Sequence, residues 1–248
     1  MAGHSKWSTI KRKKGALDQK RGKLFSMISK EITVSSRLGG KEIDSNPRLR
    51  QAIKKAKSLN MPNSNIDKAI KKGVGELENV VIEEVSYEGY GPFGVAIIVE
   101  AITDNKNRTV ADVRHALSKF GGSLGQAGSV SWNFERTGII LIDKKQITED
   151  KIFEFSIEND CIEFFDDGDY YRLHFNSNEL YNKIETFEKQ NIKVDSSFLD
   201  YIPKDDIELS EDENLKVEKL LEFLEDLEDV QNVFSNQTLG RHSGYYRI

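Results

Sequence analysis

Lysine and arginine crowd the first third of this chain in runs that suit one chemistry, the neutralisation of phosphates. Lys11, Arg12, Lys13 and Lys14 follow one another, with His4, Lys6 and Trp7 ahead of them and Lys20, Arg21 and Lys23 behind. Arg48, Arg50, Lys54, Lys55 and Lys57 make a second cluster, and Lys68, Lys71 and Lys72 a third. Residues 1–75 carry 19 Lys and Arg against 5 Asp and Glu, while residues 76–248 carry 17 against 36. The formal net charge of −5 hides this split, and it is local potential, not the average, that draws a polyanion. The basic part is therefore read as facing nucleic acid, each cation that meets a phosphate adding counterion release to the affinity. The plain alternative, a solvated helical face, needs compensating acid that this region lacks. For the acidic part composition leaves three uses open: solubility, repulsion of the ligand elsewhere, or contact with a basic partner.

These cations need elements to hold them. Leu24, Ile28 and Ile32 repeat at i, i+4, i+8 before Gly39-Gly40, which predicts a first helix. Asn46 and Pro47 start a second, with Leu49, Ala52, Ile53 and Ala56 inward, leaving Arg50, Lys54 and Lys57 on one flank and Arg48 and Lys55 on the other. Ser64 with Asp67 suggests a capping box for a third helix closed by Gly73 and Gly75. From Val80 the pattern turns to strands: a hairpin around GYGPFG, a helix with Val110, Val113, Leu117 and Phe120 inward, and a strand near 129–134. A second round follows, with strands at 138–142, 162–165, 170–175 and 197–202 and helices around 149–159 and 177–190. An acidic helix over 211–228, with Leu215, Leu220, Leu224 and Leu227 as core candidates, and a closing strand in DVQNVFS complete the pattern.

The expected fold is thus α+β: a basic helical domain over 1–78, then two ferredoxin-like α/β domains. One of these is discontinuous, 79–136 with 204–236, and the other, 137–203, is inserted into it; 237–248 is expected to be a flexible tail. Arg108, Arg114, His115 and Lys119 on the central helix, beside the glycine-rich GGSLGQAGS loop, make a second candidate contact. A simple turn competes with a phosphate cradle for that loop. Trp7 has two open readings, stacking on an exposed base or folding back onto the helices, and Tyr87, Tyr90 and Phe93 divide likewise between stacking and partial burial.

Enzyme chemistry finds little support in the residues. GALDQKRGKL has six residues between its glycines where a phosphate-binding loop of the Walker type needs four, and Leu follows Gly-Lys where Ser or Thr is required. The histidines at 4, 115, 174 and 242 have no metal-ligand spacing, and the lone Cys161 makes neither a disulfide nor an obvious dyad with one of them. Asp166, Asp167 and Asp169 around Gly168 lack ligands at the remaining calcium-loop positions. No metal, cofactor or catalytic residue is therefore assigned, and a site hidden between the α/β domains stays as the enzyme alternative. No stretch approaches the roughly 20 apolar residues of a membrane span.

GHSKW at 3–7, followed by IKRKKGALDQKRGKLFSMISKEI, resembles the opening of the YebC family, whose mitochondrial members include the translational activator of cytochrome c oxidase. YEGYGPFGVAIIVEAITDN and NRTVADVRHALSKFGGSLGQAGSVSWNF are similar to the family's central signature, and DVQNVFSN to its closing segment. The resemblance implies a helical domain followed by two α/β domains, one discontinuous, and a regulator of gene expression that binds nucleic acid. It implies two competing uses: an RNA-binding, ribosome-associated translation factor, or a DNA-binding transcriptional regulator. The helical region offers no recognition helix with Asn, Gln or Arg set for base edges, which favours shape-led RNA binding. The family's usual turn reads GPGG, where this chain has Phe93 in the third position, and QTLGRHSGYYRI follows Asn236. The mitochondrial extension ahead of GHSKW is not seen, so a cytoplasmic, bacterial-type protein is expected.

Overall fold

The computed structural model describes residues 21–77 and 81–239. The helix α1 (Arg21–Gly39) buries Ile28 and Ile32 and stops where Gly40 takes a φ of +81°. The helix α2 (Pro47–Ser58) starts on Asn46, whose Oδ1 accepts from Leu49 N at 3.1 Å while its amide donates to Ser35 O and Gly40 O at 2.8 and 2.9 Å. One buried cap thus satisfies an orphan helix donor and ties α2 to the end of α1. The helix α3 (Asn63–Gly73) begins one residue before Ser64, so Ser64 lies inside it and the expected Ser64–Asp67 capping box does not form. The α1–α3 crossing is close: a Cβ on Gly73 would sit 2.3 Å from Thr33 O, and Thr33 Oγ1 donates to Ala69 O.

Strands β1 (Glu83–Tyr90) and β2 (Ala96–Thr103) form the antiparallel hairpin, Glu83 opposite Thr103 and Tyr90 opposite Ala96. The helix α4 (Lys106–Lys119), capped by Asn105, crosses to β3 (Ser123–Leu124). The strand expected near 129–134 is absent: Ser131–Asn133 is a 3-10 turn, and the next strand begins at Phe134. That strand, β4 (Phe134–Asp143), opens a βαββαβ set with α5 (Glu149–Glu158), β5 (Glu163–Asp167), β6 (Tyr170–Asn176), α6 (Leu180–Lys189) and β7 (Ser196–Pro203). Its antiparallel order is β5-β6-β4-β7, the ferredoxin-like arrangement. The chain then runs through β8 (Ile207–Leu209), α7 (Glu211–Asp226), β9 (Val230–Ser235) and β10 (Gln237–Leu239). The strand β9 pairs with β2, giving the order β3-β1-β2-β9, while β8 and β10 form a two-stranded parallel sheet.

The described residues fall into two compact units, Asn133–Lys204 and residues 21–132 joined by Asp205–Leu239. The helices thus share a compact unit with the first sheet. Val34 of α1 packs with Ile82 and Ile102, and Arg37 donates to Ile82 O at 2.6 Å. On the opposite face α4 and α7 enclose Ile97, Val113, Leu117, Leu220 and Leu224. Leu215, expected in this core, is 56% exposed. Gln237–Leu239, expected at the start of a flexible tail, form β10 instead: the buried Asn236 accepts from Ala96 N at 2.8 Å and donates to Asp205 O at 3.0 Å, which delivers these residues to β8.

Asp229, 5% exposed, fastens the helices to the sheet. Its carboxylate accepts from Lys30 of α1 at 2.7 Å, Arg108 of α4 at 2.7 Å, Thr109 at 2.8 Å and Thr103 of β2 at 3.0 Å. Burial opposes its charge, but the hydrogen bonds from Lys30, Arg108 and Thr109 outweigh it and hold the carboxyl well below the usual carboxylate range. Since its folded pKa lies below the unfolded value of about 3.9, its contribution is full above that pH and is lost as pH falls through the folded value. Replacing Asp229 by Asn should therefore cost about 3 kcal/mol near neutral pH, as for a broken buried pair. Urea denaturation should show the gap to wild type narrowing below about pH 4.

Phe93 takes φ +61° and ψ +18°, the left-handed region, beside Gly94 at φ +76°. The turn therefore keeps the backbone a glycine would adopt while holding a half-exposed ring, with Lys216 Nζ 5.7 Å from its centroid. Phe93→Gly should raise stability by up to about 1 kcal/mol, since left-handed geometry costs a side-chain-bearing residue about 1–2 kcal/mol. The midpoint of a urea titration would show it.

Candidate nucleic-acid interface

His4, Lys6, Trp7, Lys11, Arg12, Lys13, Lys14 and Lys20 lie outside the described residues, and Arg21 is described only as the first residue of α1. The remaining candidates sort by whether the fold has already engaged them. Arg48 is: its guanidinium grips Glu31 at 2.7 and 3.0 Å and reaches Glu84 at 2.5 Å, and these hydrogen bonds raise its pKa despite the opposing burial. On the flank where the sequence placed it, Arg48 is engaged within the fold while Lys55 is exposed. Lys23 donates to Glu225 O at the end of α7 and lies 3.8 Å from Asp226. Arg50 donates to Ile43 O and Asp44 O at 3.0 and 3.1 Å, bracing the turn before α2.

On α4 the expected cationic face divides. Arg108 turns to Asp104 at 3.0 Å and to Asp229, whose hydrogen bond is the largest cause of its raised pKa. Arg114, His115 and Lys119 are exposed, Lys119 Nζ lying 4.2 Å from the centroid of the Phe223 ring. The glycine-rich loop is not an open phosphate cradle. Glu88 of β1 already accepts from the amides of Gly128, Val130 and Ser131, each at 2.8 Å, and these bonds outweigh its burial and lower its pKa. Tyr87 packs against the core, whereas Tyr90 and Phe93 are exposed.

Lys54, Lys55 and Lys57 of α2 and Lys68 and Lys71 of α3 are exposed. Lys57, Lys68 and Lys72 form no ion pair with any described residue. Lys72 is half-buried and lines two adjacent clefts. The first, about 250 Å3, runs from Ser26 and Thr33 past Lys30 to Arg108 and Asp229. The second, about 330 Å3, lies between α1 and α3. Sequence reasoning passed over Lys30, Ser29 and Asn65, which these clefts bring beside the lysines, because their type and spacing alone carry no signal. It also passed over Trp132, 62% exposed, whose indole donates to Ser129 O at 3.0 Å beside the Tyr90 hydroxyl on the same carbonyl.

Among the described residues no group of three or more His, Cys, Asp or Glu is placed to hold a metal ion. Burial pushes the Cys161 thiol up to about 11 and depresses the 3%-exposed His174, whose Nδ1 lies 3.1 Å from Glu163. A protonated thiol is a poor nucleophile. Asp166 pairs with Lys144, and Asp167 lies 3.4 Å from Arg172, so these two carboxylates of the β5–β6 turn have cationic partners. No helix among the described residues is long and apolar enough to cross a membrane.

Residues 5–76 match the TACO1/YebC protein N-terminal domain, and residues 82–237 match the TACO1/YebC second and third domain. A probable transcriptional regulatory protein of Sulfurihydrogenibium sp. is 49% identical over 238 residues, 95% of each chain. Another of that name from Persephonella marina is 50% identical over 238 residues, again 95% of each. The crystal structure of a conserved hypothetical protein from Aquifex aeolicus superposes with a TM-score of 0.82 at 43% identity, covering 91% of this chain and 93% of that one. With both family domains matched in order and relatives near half-identical along almost the whole chain, this protein belongs to the TACO1/YebC family.

Proposed function

We propose that this protein is a non-enzymatic regulator of gene expression that binds RNA at the ribosome as a translation factor, through its basic N-terminal region and in the cytoplasm. The observation that carries it is the sorting of cations. Arg48, Arg50 and Arg108 are bonded within the fold, whereas Lys57 and Lys68 stay exposed and unpaired among the described residues. Exposed lysines act as point charges toward phosphates and read backbone shape, not base edges. Trp7 and the basic run at 11–14, which lie outside the described residues, would add base stacking and phosphate contacts. Arg114, His115 and Lys119 would add a second contact.

The second reading, a DNA-binding transcriptional regulator, is favoured by the names of the relatives from Sulfurihydrogenibium and Persephonella. Co-sedimentation with ribosomes alongside a promoter-DNA mobility shift separates the two. Lys57→Glu with Lys71→Glu should release the protein from ribosomes and flatten the salt dependence of binding, each lost phosphate contact removing about 0.7 from the log–log slope on single strands. Ribosome association that persists while DNA binding disappears would put the transcriptional reading first.

A further inference from the structure

The cleft of about 330 Å3 between α1 and α3 has a floor and a rim of different chemistry. Phe25 of α1 and the buried Met61 before α3 give an apolar floor. Ser29, one turn after Phe25, and Asn65, Lys68 and Lys72, which share one face of α3 at i, i+3 and i+7, give a polar rim. No carboxylate lines this cleft, while the neighbouring one that shares Ser29 and Lys72 sets Asp104, Glu228 and Asp229 against its cations. The volume falls in the about 300–1,000 Å3 range of small-molecule sites. An apolar floor with two lysines and neutral hydrogen-bonding groups is what a single nucleotide requires: a flat surface for the base, donors for its edge, and positive charge for the phosphate.

We infer that the α1–α3 cleft receives one unpaired nucleotide of a single-stranded RNA, its base against Phe25 and Met61 and its phosphate between Lys68 and Lys72. This rests on the nucleic-acid reading above and deepens it. A base stacked inside a duplex has no free face to offer a ring set between two helices, so the site selects single strands.

The test uses the full-length protein and a short fluorescent RNA oligonucleotide, alone and annealed to its complement, with anisotropy as readout and thermal melting as the folding control. Phe25→Leu, which keeps apolar volume but removes the ring, should weaken single-strand binding about tenfold and duplex binding far less. Lys68→Gln with Lys72→Gln should weaken it to a similar degree and reduce the salt slope. Photocrosslinking of an oligonucleotide carrying 4-thiouridine should label peptides of α1 or α3. If Phe25→Leu does not fold, the lysine pair and the crosslink map carry the test, since Lys68 is exposed and Lys72 only half-buried, and neither belongs to the apolar core. Binding that survives both variants, or crosslinks confined elsewhere, overturns the cleft while leaving the nucleic-acid reading standing. Loss in the lysine pair with none in a folded Phe25→Leu overturns the base placement. If the wild-type chain binds no nucleic acid, the reading above fails and the cleft with it.

Discussion

A carboxylate taken out of water loses several kcal/mol of solvation unless donors and cations replace it. Asp229 is such a group, and its replacements come from three separate places: Lys30 on α1, Arg108 and Thr109 on α4, and Thr103 at the end of β2. The returning segment that carries Asp229 is thereby fixed to the first helix almost two hundred residues earlier. Since α3 packs on α1 through Gly73 and Thr33, the one carboxylate also sets where the lysine-bearing face of α3 stands relative to the sheet. A cluster of this kind holds only if complete, because each member lost leaves another charge buried without its partner.

The same accounting explains which cations remain for a ligand. Arginine's planar fork suits fixed carboxylates and carbonyls, and in the larger unit arginines do this work: Arg37 on Ile82 O, Arg48 on Glu31 and Glu84, Arg50 on the turn before α2, Arg108 on Asp104 and Asp229. Lys54, Lys55 and Lys57 on α2 and Lys68 and Lys71 on α3 are exposed, and long stems keep such ammonium groups solvated. A surface of point charges binds phosphates with little sense of sequence, which is the expectation for a protein that reads RNA shape.

What could be read from the sequence follows from the range of each interaction. The three helices are periodic within themselves, so Ile28 and Ile32, and Leu49, Ala52, Ile53 and Ala56, declared their buried faces locally. The strand β3 is two residues long and has no period to detect, and Ser64 only mimicked a cap because the helix starts one residue earlier, with Pro62 at its N-cap, its carbonyl accepting from Asn65 N and Ile66 N and no side chain capping it. Partnerships between distant residues leave no local trace. Arg48 looked as available as Lys57 until Glu84, 36 residues away, closed on it, and Lys30 with Asp229 is a pair that neither neighbourhood announces. The clustering of cations on the helices was therefore legible, but which of them the fold engages was not.

The glycine-rich loop after α4 shows why composition alone misplaces an anion site. Its backbone does converge amide donors on a negative charge, the arrangement that favours phosphate. The charge they meet is the protein's own Glu88, held by Gly128, Val130 and Ser131. A phosphate entering there would have to displace a carboxylate already bonded three times and tethered at high effective concentration, on a domain with an excess of acid. Between α1 and α3 there is no such occupant among the lining residues, and the two lysines face a cleft without a carboxylate. Under the proposed function, anion binding would fall to side chains on the helices, while the loop spends its amides on holding β1 to the segment that leads out of the sheet.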